Sequence, residues 1–385
     1  MPSLASRLNS FPESAISEMS LLAAQCGAIN LASGFPDFDP PAALLEAAVD
    51  ALRSGFNQYP DSSGSPRFRQ ALAAKQSRWM GLEIDPDAHI TVTCGGTEAM
   101  LASLMAVCGS GDKVIVFSPF YENYGIGSIL CGGEPLYVSL HLPDFTFDPD
   151  ELRRAFRQGA KALILCNPSN PTGKVFTLAE LSVIAGLAQE YDAFVITDEV
   201  YEHIVYDPHH HTYIASLPGM FERTLSCSSL SKTYAITGWR LGYIIAPPLL
   251  TEAVRKLHVY LTIAAPAPLQ EAAAVALDFP LEYYHQLRLD YTRRRDLFLE
   301  YLRRAGLKCN QPQGAHYVLV DISPFGFSDD MEFCRWLAKE YGVAGVPGSS
   351  FFYEPVRHLM RLSFAKSEKV LKEAGERLLR LREQG

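Results

Sequence analysis

Residues 162–202 read ALILCNPSNPTGKVFTLAELSVIAGLAQEYDAFVITDEVYE. An apolar run, Ala162 to Cys166, stops at the loop Asn167-Pro168-Ser169-Asn170-Pro171-Thr172-Gly173. Thr177-Leu178-Ala179-Glu180 then has the form of a capping box, where Thr and Glu side chains satisfy free backbone N–H groups at a helix start. Leu181, Ile184, Leu187, Ala188 and Tyr191 follow on one helical face. A second apolar run, Phe194 to Thr197, ends in Asp198-Glu199-Val200-Tyr201. Two short runs flanking an amphipathic helix predict a strand–helix–strand unit whose strands are buried on both faces.

The same texture extends outward. Lys113 to Phe117, Leu225 to Ser228 and Tyr243 to Ala246 are further short runs bounded by polar or turn residues. Asp148-Pro149-Asp150-Glu151 places Asp at an N-cap and Pro at the first helical position. The expected fold is therefore α/β, with a mostly parallel sheet, helices on both faces and ligands at the carboxyl ends of the strands. From Leu281 a long Arg-rich helical stretch leads to a short segment at Tyr317–Asp321 and helical patterns around Phe333 and Leu371. These features predict a large domain over 46–280, a smaller α+β domain over 281–385, and an N-terminal segment, 1–45, packing on the smaller one.

At 385 residues the chain is too long for one ordinary core, and its 48% apolar and 20% charged residues exclude a disordered class. The net charge of −9 argues against nucleic acid or an anionic membrane as partner. No apolar stretch reaches the 18 or so residues a spanning helix needs. Arg7 is accompanied by Glu13 and Glu18 without an apolar core behind it, so no leader is expected. Eight scattered Cys without a C-x-x-C pair read as free thiols of a reducing compartment, and a cytoplasmic protein is expected. G-x-G-x-x-G after a strand, G-x-x-x-x-G-K-[ST] and H-E-x-x-H are absent, which disfavours a nicotinamide dehydrogenase. His209-His210-His211 reads as a solvated loop, since adjacent side chains point different ways; no metal is expected.

Three strand ends carry chemistry. Ser229-Leu230-Ser231-Lys232 follows one run, and Thr237-Gly238-Trp239-Arg240-Leu241-Gly242 comes shortly after. A Lys among hydroxyls and an Arg suggests a phosphate site with a reactive amine. Asn170 ends a second run, and Asp198 ends a third.

Together GFPDFDPP, NPSNPTGKVF, DEVYE and SKTYAITGWRLGY resemble the fold-type I, pyridoxal-phosphate-dependent aminotransferases of class I/II. The chain is most similar to their kynurenine, glutamine and methionine branch. The resemblance spans Gly34-Phe35-Pro36-Asp37-Phe38 to Met360-Arg361-Leu362-Ser363-Phe364. It implies pyridoxal 5'-phosphate as cofactor, amino acid and 2-oxo acid as substrates, a ping-pong mechanism and a homodimer. It further implies that Lys232 joins the cofactor aldehyde and later carries a proton. Asp198 would face the ring nitrogen and keep it protonated, with Tyr201 and Asn170 on the ring oxygen and Tyr121 stacked on the ring. Gly95, Gly96 and Thr97 at a helix start, with Ser229, Arg240 and Tyr59 of a second subunit, would hold the phosphate. Arg361, covered by Gly34, would bind the substrate carboxylate.

Two positions depart from the family pattern. Thr97 stands where one aspartate-specific branch carries Lys, and Gly314-Ala315-His316 stands where relatives read Gly-Ala-Phe or Gly-Ala-Tyr. With Tyr121, Tyr59 and Phe35 expected to line an aromatic wall, the implied donors are methionine, phenylalanine, tyrosine, kynurenine or glutamine. His316 is the candidate for a cation at the rim. A cysteine-conjugate β-lyase and an aspartate aminotransferase are the alternatives, since both use the same Lys232 and Asp198.

Overall fold

The computed structural model describes residues 4–384. The first three residues of the expected N-terminal segment, and the last of the expected C-terminal domain, lie outside them. Eight strands form one sheet in the spatial order Ile90–Thr93, Gly242–Ile245, Thr224–Ser229, Phe194–Asp198, Ala160–Cys166, Lys113–Ser118, Glu134–His141, Thr146–Phe147. The central pairings are parallel, with Leu163 beside Val195 and Thr197 beside Ser226. Gly242–Ile245 runs antiparallel to both its neighbours. The fold is thus α/β with a mostly parallel sheet, as the sequence predicts.

Local chemistry sets the helix boundaries. Thr177 and Glu180 form both halves of the capping box that opens Leu178–Glu190. Asp148 accepts from the Asp150 N–H at the start of Pro149–Arg157. Leu181, Ile184, Leu187 and Ala188 are buried against Leu163, Val195 and Phe156 on one side of the sheet. The helix Gly96–Val107 covers the other side, packing Ala99, Leu104 and Val107 on Val116, Ile196 and Ile244. Burying side chains of this size stabilises the fold by about 1.5–3 kcal/mol each.

The C-terminal third builds a second core. Tyr317–Asp321, Leu359–Ser363 and Val346–Pro347 form an antiparallel sheet, packed by Leu281–Arg304 and Glu368–Leu379. The N-terminal chain joins this core: Ile29–Asn30 pairs parallel with Val343–Ala344, and Met19 and Ala23 are buried in the same cluster. From there residues 31–38 pass over the carboxyl ends of the large sheet. Arg361 donates to the Ala32 carbonyl and Lys366 to that of Phe35.

Candidate active site

A cavity of about 260 Å³ opens where the large sheet, the second core and residues 31–38 meet. Strand ends deliver its polar groups. Asp198 is the last residue of Phe194–Asp198, Ser229 the last of Thr224–Ser229, and Asn170 follows Ala160–Cys166. Lys232 stands three residues beyond its strand. Parallel strands put these ends side by side, with Asp198 in register with Cys227 and Cys166.

Lys232 Nζ donates to the Gly34 carbonyl at 2.7 Å. Burial, reinforced by the charge of Arg361, lowers its pKa to about 8. Asp198 faces the same space. Burial raises its pKa, opposed by hydrogen bonds from Tyr124 and the Val200 N–H and by the charge of Lys232. The Tyr124 hydroxyl donates to Asp198 Oδ2 at 2.7 Å. Tyr201, 3% exposed, donates to the Tyr317 hydroxyl at 3.0 Å.

At one end of the cavity lies an anion cradle. Gly95, at φ +85°, precedes the helix Gly96–Val107, and no side chain caps that helix. Uncapped N–H groups and the helix dipole favour an anion there. A Cβ on Gly95 would lie 2.4 Å from the Arg240 guanidinium, so only glycine lets this cation close over the helix start. Thr97 and Ser229 line the same end. At the other end Arg361 is 1% exposed, between the rings of Tyr317 and Phe351. It donates to Asn170 Oδ1 at 2.9 Å and to the Ala32 carbonyl at 2.7 Å. No carboxylate among the described residues lies within ion-pair distance of it, and its Nε has no partner. A buried cation without a counter-ion is costly unless a ligand brings the anion.

The structure thus brings Gly34, Gly96, Thr97 and Tyr121 to one cavity with Asn170, Asp198, Tyr201, Ser229, Lys232, Arg240 and Arg361, and Gly95 against it. Tyr59 stays apart, 79% exposed and off this chain's own cavity. Phe35 does not line the wall expected of it: it is 47% exposed and turned toward the Lys366 ammonium, 4.2 Å from the ring centre. His316 is not at the rim either. It is fully buried beneath Tyr201 and Tyr317, because an uncharged imidazole fills the space an aromatic ring would take. The His209–His211 loop also differs from expectation. His211 is half-buried, and the three imidazoles border a second cavity of about 340 Å³ beside Trp79 and Tyr284. Tyr124, Tyr317 and Ile16 also line the candidate site, beyond the residues the sequence motifs point to. Tyr124 sits in the first turn of the helix Asn123–Leu130, and its N–H donates to the Tyr121 carbonyl just before that helix.

These groups fit pyridoxal 5'-phosphate: one amine of lowered pKa, one buried carboxylate, one uncapped helix start under an arginine. Comparison with known proteins agrees. Residues 27–378 match the family model "Aminotransferase class I and II". A methionine aminotransferase of Escherichia coli is 38% identical over 98% of both chains. The human kynurenine–oxoglutarate transaminase 1 is 36% identical over 93% of both. The solved structure of the N-succinyldiaminopimelate aminotransferase of Mycobacterium tuberculosis superposes with a TM-score of 0.95 at 38% identity, covering 98% of this chain and all of that one. The chain belongs to the class I and II aminotransferase family, and is a pyridoxal-phosphate-dependent aminotransferase.

Proposed function

We propose that the protein moves the amino group of an apolar, aromatic or amide amino acid to a 2-oxo acid in two half-reactions at this one cavity. Methionine, phenylalanine, tyrosine, kynurenine and glutamine are the proposed donors. The observation that carries the reading is Arg361, a buried cation whose missing anion is the carboxylate common to amino and oxo acids. The bound cofactor supplies an aldehyde that exchanges for an amine and a ring that draws electrons from the substrate Cα.

The chain's residues do the rest. Arg361 and Asn170 fix the carboxylate, so the Cα hydrogen is held toward Lys232. Lys232, its pKa lowered to about 8, reaches the neutral amine form far more readily than an ordinary lysine and would carry that proton. Asp198 would hold a proton at the ring nitrogen, oriented by the Tyr124 hydroxyl that donates to it. Tyr201 would address the ring oxygen, and Tyr121 would lie against the ring. Gly95, Gly96, Thr97, Ser229 and Arg240 would hold the phosphate. Residues 31–38, held by Arg361 at Ala32 and by Lys366 at Phe35, would shield the cavity from water.

The side-chain wall argues for uncharged donors. Ile16, Met100, Tyr121 and Val200 line the cavity. Lys232, Arg240 and Arg361 are the lysine and arginines that line it, and they would be engaged by the cofactor, the phosphate and the substrate carboxylate in turn. An ionised distal group would enter unpaired. We expect methionine or phenylalanine to exceed aspartate in kcat/KM, with a broad range among apolar donors, as each methylene contributes only about 0.8 kcal/mol. Steady-state assays with one oxo acid decide it, and a tenfold preference for aspartate would mean that a cation reaches the pocket from elsewhere. Pyruvate and ammonia released from a β-substituted donor without oxo acid would instead mark the β-lyase reaction.

The working form we propose is a two-fold dimer in the cytoplasm. Tyr59 would complete the phosphate site of the second copy, and exposed Tyr260 and Ile263 would be covered with it. The eight free cysteines suit a reducing compartment. Sedimentation at assay concentration should show a dimer, and Tyr59→Ala should weaken cofactor retention; a fully active monomer would refute this.

A further inference from the structure

Glu98 lies in the first turn of the helix Gly96–Val107 and is 9% exposed. A glutamate at this place commonly reaches back to the N–H of the capping residue, whose own side chain returns a bond. Here the capping residue is Gly95, which has no side chain to return one. Glu98 reaches one residue further back, and its Oε2 accepts from the Cys94 N–H at 2.5 Å. Its Oε1 accepts from the Thr262 hydroxyl at 2.9 Å and lies 2.6 Å from His258 Nδ1. Burial pushes the carboxyl pKa up, but hydrogen bonds from His258, the Cys94 N–H and Thr262 bring it below the usual carboxylate range. An ionised carboxylate only accepts, so His258, itself fully buried, donates through Nδ1.

The turn that Glu98 grips carries the anion cradle. The Gly95 N–H donates to the Thr93 carbonyl at 2.8 Å, and the Thr93 hydroxyl to the Gly95 carbonyl at 3.1 Å. Gly242 backs the turn so closely that a Cβ on it would lie 2.4 Å from the Gly95 carbonyl carbon. None of these bonds uses the N–H of Gly96 or Thr97. A Ser, Thr, Asp or Asn cap would take one of the first helical N–H groups and compete with a phosphate. Glu98 steadies the same helix start and leaves those donors free. Its charge works the other way, because a carboxylate beside a dianion repels it. Loss of the charge alone would tighten phosphate binding, whereas loss of the grip on the turn would weaken it.

We propose, on the reading of this helix start as the phosphate site, that Glu98 is a positioning residue: held by His258 and Thr262, it fixes the Cys94–Gly95 turn so that the first N–H groups of the helix stay free for the phosphate.

Calorimetric titration of the cofactor-free protein with inorganic phosphate separates the hydrogen bond from the charge. Glu98→Leu, which loses both, should bind phosphate about tenfold more weakly than wild type. Glu98→Gln loses the charge but keeps a carbonyl for the Cys94 N–H, and should bind as tightly as wild type or tighter. Equal or tighter binding by Glu98→Leu would overturn the proposal, and so would a loss in Glu98→Gln as large as in Glu98→Leu. Pyridoxal 5'-phosphate and unphosphorylated pyridoxal, followed by absorbance, give a second reading. Glu98→Leu should lose about tenfold for the phosphorylated form alone, whereas a merely structural defect would weaken both alike. A wild type that gains nothing from the phosphate group would refute the phosphate site, and this role with it. A wild-type gain that Glu98→Leu keeps in full would overturn the role of Glu98 only. If Glu98→Leu does not fold, Thr262→Val, similar in shape and short of one donor to Glu98, should cost about threefold in phosphate affinity; no loss there would likewise overturn the proposal.

Discussion

Lys232→Ala is expected to reduce transamination by about four decades while leaving the fold intact, because one side chain serves as both attachment point and proton carrier. No other lysine among the described residues lines the cavity. Lys75 is buried too, but is held by Glu202 at 3.2 Å, and Lys174 by Glu180 at 2.7 Å. The lowered pKa gives a second reading of the same group. Below about 8 the amine is protonated and cannot attack an aldehyde, and above it the amine is free. Capture of the cofactor by the cofactor-free protein should therefore accelerate as pH rises through about 8 and then level off. The folded pKa also lies below the unfolded value, so the unfolded chain binds the proton more tightly between the two. The contribution of this group to stability must then rise with pH across that interval. Stopped-flow capture rates against pH check the first point; a midpoint near the ordinary lysine value would show an amine that is not desolvated.

Asp198→Ala is expected to lower kcat about a thousandfold, or about 4 kcal/mol, while some cofactor remains bound through the phosphate cradle. A ring nitrogen without an anionic partner loses its proton and attracts electrons weakly. The cost falls on turnover more than on folding. Burial raises the Asp198 pKa, so the ionised carboxylate costs more in the folded protein than in the unfolded chain, and removing it relieves that cost. Tyr124→Phe should have the same direction and a smaller size, about tenfold, since it removes one hydrogen bond that holds the carboxylate ionised. Single-turnover rates and melting curves separate the two effects. A variant of Asp198 with near wild-type kcat would show that the carboxylate does not serve the ring nitrogen.

Much of this architecture is legible in the sequence, for a physical reason. The central strands are buried on both faces and read as unbroken apolar runs, and their helices carry explicit caps at Asp148 and Thr177. The edges are less visible. Glu134–His141 is only partly buried, and Ile90–Thr93 is short with alternating Thr, so neither gives a continuous run. The site shows the same division. Lys232, Asp198 and Asn170 lie at strand ends, where topology alone predicts convergence. The unpaired state of Arg361, the Tyr124 bond to Asp198 and the depth of His316 depend on contacts between residues far apart in the chain, and no local pattern reports them. Phe35 escapes a local reading for a related reason: Lys366, over 300 residues away, offers its ring a cation.

The most direct test of the account is to reduce the loaded protein with borohydride and map the cofactor-bearing peptide by mass spectrometry. The account predicts a single modified residue, Lys232, in Ser229-Leu230-Ser231-Lys232-Thr233. Modification at Lys75, Lys174 or Lys366 instead, or none at all, would contradict it.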